Sequence, residues 1–237
     1  MKLNKKFGIL GGMSPQASNY MYDRLIQLSI QNFGAKNNDD FPEIILHSIP
    51  VPDFISNDNE KVIALEMLIA RVKDINKLNI SCISIACNTA HLLLKDLQKV
   101  SDAPIVSMIE EVLASVNRDG VKTVGILGSP TTINSKLYQN KLEQFNIEVI
   151  NPTSTQMREM ENIIRNIIKA EFRSEDKIIL SKIADDLIAR GAEGIILGCT
   201  EIPLIFLKKN EFPVYNSVEI LVLALLRRYY QYNTIAI

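Results

Sequence analysis

The sequence predicts an α/β fold: two similar domains, each a central parallel sheet flanked by helices, related by a pseudo-two-fold axis with a cleft between them. Three observations lead there. Short β-rich runs alternate with amphipathic stretches almost throughout, the pattern of parallel strands joined by helical crossovers. The runs Ile83-Ser84-Ile85-Ala86 and Ile195-Ile196-Leu197 are apolar or small on both faces, as central strands covered on both sides must be. The chain also repeats three phrases. Phe7-Gly8-Ile9-Leu10-Gly11-Gly12 returns as Val124-Gly125-Ile126-Leu127-Gly128-Ser129. Ile85-Ala86-Cys87-Asn88-Thr89 returns as Leu197-Gly198-Cys199-Thr200, and Ala103-Pro104-Ile105-Val106 as Phe212-Pro213-Val214-Tyr215. Gly8 and Gly125 lie 117 positions apart, Cys87 and Cys199 112, Pro104 and Pro213 109.

In chain order, residues 7–10 form the first predicted strand. Gly11 to Pro15 make its exit, with Ser14 suited to cap the helix 15–32 and Pro15 to begin it. Asn37-Asn38-Asp39-Asp40 is a polar loop before strand 43–49, and Ser56-Asn57-Asp58-Asn59 another before helix 59–77. Strand 81–86 runs into helix 89–99, and strand 104–106 into helix 108–117, which ends at Asp119-Gly120. The second copy begins with strand 122–127. Helix 131–145, strand 147–150, helix 157–170 and helix 175–190 follow, the last closed by Arg190-Gly191. Strand 194–198, helix 201–208, strand 213–215 and helix 217–232 complete the chain. With no long linker, the halves are expected to pack closely. The final helix returns to the first, giving domains of 1–102 plus 216–237 and of 103–215.

Composition excludes several classes of function. The 237 residues are enough for a substantial core, and a net charge of −1 offers no electrostatic footing for nucleic acid. Lys and Arg are scattered, and without Trp the chain has few stacking platforms for single strands. No stretch is long and apolar enough to span a membrane, and the charged start ahead of a glycine-broken strand makes a poor export signal. Three cysteines, an odd number, point to reduced thiols in the cytoplasm. With two histidines and no Cys-x-x-Cys, no metal site is expected.

Cys82 lies mid-strand and reads as a small buried hydrophobe. Cys87 and Cys199 both fall at the carboxyl end of a strand, where open α/β sheets bind ligands. Each precedes a predicted helix, whose N–H groups and dipole are expected to favour the thiolate and lower the thiol pKa. The same helix starts suit a substrate carboxylate. Asn88, Thr89 and Thr200 add side-chain hydrogen bonds there. Two thiols facing one another across a cleft can take a proton from one side of a carbon and return it from the other.

Gly11-Gly12-Met13-Ser14-Pro15, Ala86-Cys87-Asn88-Thr89-Ala90-His91 and Gly198-Cys199-Thr200-Glu201 resemble the signatures of the aspartate/glutamate racemase superfamily, its aspartate racemase branch above all. Similarity extends to Pro104 through Glu110, to the turn at Gly128 through Ile133 and to the strand Pro213-Val214-Tyr215-Asn216. The resemblance implies an isomerase that needs no pyridoxal phosphate or other cofactor, acts on a small amino acid and forms a homodimer. It implies Cys87 and Cys199 as the two acid/base residues. Met13, Ser14, Asn88, Thr89, Thr132 and Thr200 would then surround the α-carboxylate and amino group. Lys169 matches a lysine near the side-chain carboxylate, and His91 and Glu201 are candidates to support the site from behind. Taken as residues alone, Ser14 is equally a helix cap, Thr132 a turn residue, Met13 core, Lys169 a surface cation and His47 structural. One position departs: Phe54 stands where aspartate racemases carry an arginine that grips the distal carboxylate. That keeps open a broad-specificity amino-acid or hydantoin racemase. A non-catalytic amino-acid-binding protein, or a Cys87–Cys199 redox pair, is the alternative outside the enzyme class.

Overall fold

The computed structural model describes residues 6–52, 60–207 and 211–234. Within them lie two four-stranded parallel sheets. The first contains β1 (Lys6–Gly11), β2 (Glu43–Ser48), β3 (Cys82–Ile85) and β4 (Ile105–Val106), in the order β2-β1-β3-β4. The second contains β5 (Thr123–Gly128), β6 (Glu148–Ile150), β7 (Gly194–Gly198) and β8 (Val214–Asn216), in the order β6-β5-β7-β8. Adding four to each label of the first sheet gives the second, so the repeated phrases occupy equivalent strands. Phe7 pairs with Cys82 in one sheet as Val124 pairs with Gly194 in the other.

The pleat divides the first sheet's side chains between two layers. Phe7, Ile9, Cys82 and Ala86 pack with Met21 and Leu25 of α1 (Pro15–Phe33) and with Val218, Leu221, Val222 and Leu225 of α9 (Ser217–Thr234). Leu10, Ile83 and Ile85 pack on the other side against Leu68, Val72 and Ile75 of α2 (Lys61–Asn76) and against Leu97 of α3 (Leu94–Gln98). The last helix therefore covers the first sheet. The second sheet is enclosed by α4 (Met108–Arg118), α7 (Ser154–Ile168) and α8 (Ser174–Ala189). The change of sheet falls beyond the 102/103 boundary expected from the sequence. β4 belongs to the first sheet, because Ile83 and Ser84 pair with Ile105 and Val106, and Asn216 belongs to the second, paired with Leu197.

Three expected helices take another form. Residues 89–99 divide into a 3₁₀ turn, Thr89–Leu93, and α3. The single helix expected over 131–145 becomes α5 (Pro130–Asn134), α6 (Gln139–Leu142) and a 3₁₀ turn, Glu143–Phe145. Lys136, at φ 55°, turns the chain between them and lets Tyr138 reach full burial. The expected helix 201–208 is a 3₁₀ turn over Ile202–Leu204. Its neighbours are apolar in succession: Ile202 and Ile205 are core, with Leu204 and Phe206 packed against it. A continuous helix would turn some of them outward. α7 begins at Ser154, three residues earlier than expected. Thr153 and Gln156 form a reciprocal capping box there, with Thr153 N donating to Gln156 Oε1 at 2.8 Å and Gln156 N to Thr153 Oγ1 at 3.3 Å.

Candidate active site

At the carboxyl ends of the strands, a cavity of about 380 Å³ opens between α1, the loop after β2, the loop after β3 and the end of α7. Its walls include Gly12, Met13, Ser14, Pro15, Val51, Pro52, Cys87, Thr89, Arg165, Ile168 and Lys169. Gly12 has φ 91°, and a Cβ there would come within 2.3 Å of Ile49 N, so only glycine lets the two loops meet. Its N–H donates to Ser18 Oγ at 2.8 Å. Ser14 caps α1 and Pro15 opens it, as the sequence predicts.

Five of the predicted site residues, Met13, Ser14, Cys87, Thr89 and Lys169, lie on this wall. Cys199, Asn88, Thr132, Thr200, His91 and Glu201 are buried and are not part of it. Phe54 is outside the described residues.

The buried group joins the halves by side-chain hydrogen bonds. Asn88 Oδ1 accepts from Tyr138 Oη at 2.5 Å, while its Nδ2 donates to Ser217 Oγ at 3.1 Å. Ser217 Oγ in turn donates to the carbonyl of Leu197, two residues before Cys199, at 2.7 Å. Thr89 Oγ1 lies 3.1 Å from Ser129 Oγ and 2.9 Å from Thr132 Oγ1. Glu201 Oε1 accepts from Ser14 Oγ at 2.8 Å and from Ser14 N at 3.3 Å. Ser129-Pro130 repeats Ser14-Pro15 as helix cap and first helical residue. In both directions, then, the residue two after the cysteine of one half bonds the cap serine of the other.

The loops differ in what stands behind the sulfur. Cys199 Sγ donates to Glu201 Oε2 at 2.9 Å, and Thr200 Oγ1 donates to the same oxygen at 3.1 Å. Burial raises the Cys199 pKa well above that of an ordinary thiol, the Glu201 charge raises it further, and nearby Cys87 adds to the effect. The lowered pKa expected from a helix dipole is therefore corrected for Cys199. A three-residue 3₁₀ turn provides little macrodipole, and desolvation beside a carboxylate outweighs it. In the first loop, His91 Nε2 accepts from Met108 N at 3.0 Å, so Nδ1 carries the proton and donates to the Cys87 carbonyl at 2.8 Å. Burial pulls the His91 pKa down to about 4, leaving a neutral ring at pH 7. His91 thus orients backbone from a buried position behind the first cysteine loop.

Reading the sequence missed Ser129, Tyr138, Ser217 and Arg165. The Ser-Pro repeat would have found Ser129, and the four-residue spacing to Lys169 would have found Arg165. Tyr138 and Ser217 carry no local signal. Among the described residues, no three His, Cys, Asp or Glu side chains cluster as metal ligands would, and no helix is long and apolar enough to cross a membrane.

With this geometry in view, residues 10–225 match the family model described as Asp/Glu/hydantoin racemase. The chain belongs to that family. It is a family of isomerases. The chain is similar to the broad-specificity amino-acid racemase of Bacillus subtilis (strain 168), at 25% identity over 96% of this chain and 99% of that one. Among solved structures it is similar to an aspartate racemase homologue from Pyrococcus horikoshii OT3, with TM-score 0.79 and 30% identity over 95% and 99% of the two chains. A Picrophilus torridus aspartate racemase matches with TM-score 0.79 and 25% identity over 97% and 99%. These likenesses support the two-sheet fold over nearly its whole length.

Proposed function

We propose that the protein racemises an amino acid without a cofactor, aspartate or glutamate foremost, and that Cys87 and Cys199 exchange the α-proton on opposite faces. One observation carries the reading. Cys87 stands on the cavity wall just after β3, and Cys199 holds the equivalent position just after β7 in the other half. Cys199, hydrogen bonded to Glu201 with its pKa raised, is the proton-bearing partner at rest. Cys87 as thiolate then takes the α-proton of the enantiomer whose C–H faces it, and Cys199 delivers a proton from the far side. The opposite enantiomer reacts from the reverse protonation state. General acid/base work of this kind contributes about 10²–10⁴-fold per group.

The other residues divide by position. Ser14, Thr89 and the Met13 backbone stand on the wall and can meet the α-carboxylate and amino group, and Lys169 can meet a distal carboxylate. Asn88, Thr132 and Thr200 act on the loops through their protein partners. We take residues 1–102 with 216–237, and 103–215, as the two bodies that close on substrate, with the sheet boundary adjusted as above. The cytoplasm is the proposed compartment.

Incubation in D₂O with L- and D-amino acids, read by NMR, tests the proposal. Both enantiomers of aspartate or glutamate should exchange the α-hydrogen and interconvert in the absence of pyridoxal phosphate. Exchange confined to neutral amino acids would move the reading to a broad-specificity racemase. Met13, Val51, Pro52 and Ile168 on the wall favour that second reading, as does the full-length likeness to the Bacillus subtilis enzyme. No exchange with any amino acid would overturn both.

A further inference from the structure

We propose that Arg165 is the specificity-determining residue of this cavity: its guanidinium, with Lys169 beside it, selects a substrate whose side chain ends in a carboxylate. The inference rests on the racemase reading above and names the group that decides which amino acid it takes.

Among the described residues, Arg165 and Lys169 are the charged side chains of the wall, which otherwise offers two hydroxyls, one cysteine sulfur and apolar surface. The two cations lie four positions apart at the end of α7, on one helix flank, where like charges repel. An anion lodged against both removes that repulsion. An α-amino acid with a neutral side chain brings only its α-carboxylate, which the reaction requires beside the thiols. Glu161 already offsets part of the Arg165 charge, and a second carboxylate balances the positive charge that the Glu161-paired Arg165 and Lys169 leave.

The arginine is held in place. Its Nε and Nη2 donate to Glu161 Oε1 at 3.1 and 2.9 Å, which fixes the plane of the guanidinium. The last turn of α7 is tied across the cleft, because Gln16 Nε2 donates to the Ile168 carbonyl at 2.6 Å. Gln16 lies two residues after Ser14, so the helix end that bears the cations is fixed to the wall that bears the cap serine. A planar, part-buried guanidinium recognises a carboxylate by paired, directed bonds, whereas the exposed Lys169 acts as a solvated point charge. The sequence drew attention to Lys169, and the structure assigns the larger share of selectivity to its neighbour.

The test compares isosteric acids and amides. Rates of α-deuterium exchange are measured for aspartate against asparagine and glutamate against glutamine, with the wild type, Arg165→Met and Arg165→Lys, each checked for an unchanged melting profile. The wild type should prefer the acid. Arg165→Met should lower kcat/KM for the acid about 10- to 100-fold, mainly through KM. The amide should stay within about twofold, and Arg165→Lys should recover part of the loss. Equal losses on acid and amide would overturn the inference, since Arg165 would then serve the α-carboxylate or the fold. So would no loss on either, or a wild type that turns over amides and not acids, although the racemase reading would survive. If no amino acid exchanges, that reading falls separately. Succinate binding by calorimetry then decides for Arg165: a Kd weakened at least tenfold in Arg165→Met supports it, and an unchanged Kd overturns it.

Discussion

The two cysteine loops occupy equivalent places in equivalent sheets, yet the groups behind them are different. Two residues after Cys87 stands Thr89, a neutral hydroxyl, while two residues after Cys199 stands Glu201, a carboxylate that accepts the thiol's own hydrogen bond. Four residues after Cys87 is His91, which grips the Cys87 carbonyl, and four residues after Cys199 is Pro203, which has no such group. The first loop therefore spends its buried ionisable side chain on holding backbone, and the second spends its own on the sulfur. A near-symmetric scaffold can thus hold an asymmetric resting distribution of protons. A two-base reaction requires this, because one sulfur must begin with a proton and the other without.

The comparison can be broken most sharply at the sulfurs themselves. Cys87→Ser and Cys199→Ser should each reduce racemisation by about 10²–10⁴-fold, measured by polarimetry or chiral chromatography. Either variant racemising at the wild-type rate would end the two-base account.

A smaller effect is expected at the carboxylate. Glu201→Gln removes the charge beside Cys199 and should lower that thiol's pKa, so alkylation of Cys199 at pH 7, followed by mass spectrometry, should accelerate. Turnover should fall about tenfold to a hundredfold, because the resting proton is less securely held. Unchanged alkylation at Cys199 would mean that burial alone sets its behaviour, and the contrast between loops would lose its electrostatic half.

Tyr138→Phe leaves Asn88 Oδ1 buried without its 2.5 Å donor. The expected cost is about 1–3 kcal/mol of stability by denaturant unfolding. Turnover should also fall, since the strut from Asn88 through Ser217 to Leu197 links one cysteine loop to the strand of the other.

The smallest effect concerns His91. Its folded pKa of about 4 lies below the usual value near 6.5, so the unfolded chain binds the extra proton first. The stability the neutral ring contributes is complete above pH 6.5 and is lost as pH falls from there toward 4. Between pH 8 and pH 5.5 the loss is about 1.4 kcal/mol. His91→Gln should flatten that part of the profile in calorimetric melts, and an equal slope would place the titration elsewhere.

The strands and the cysteine loops were legible because their signals are local. Glycines, Ser-Pro caps and β-rich runs recur in the same order in both halves. The pairings across the cleft were not, since Ser14 and Glu201, or Asn88 and Tyr138, meet only once the sheets have packed. Tyr138 was obscured further by an amphipathic pattern that runs on through the turn at Lys136. The loop state of Cys199 was misread for a physical reason. A sequence shows that a helix can follow a cysteine but does not show how deeply the sulfur is buried, and here burial outweighs the dipole.

The return of α9 bears on how the chain reaches this state. Phe7, Ile9, Met21 and Leu25 appear early in synthesis, but the residues that cover them, Val218 through Tyr229, follow the entire second sheet. The first half cannot complete its hydrophobic layer as it leaves the ribosome, whereas α4, α7 and α8, whose buried residues enclose the second sheet, all lie within the second half's own span. Such long-range closure slows folding and leaves apolar surface uncovered meanwhile. In order of completion, the second half of the chain is the first domain.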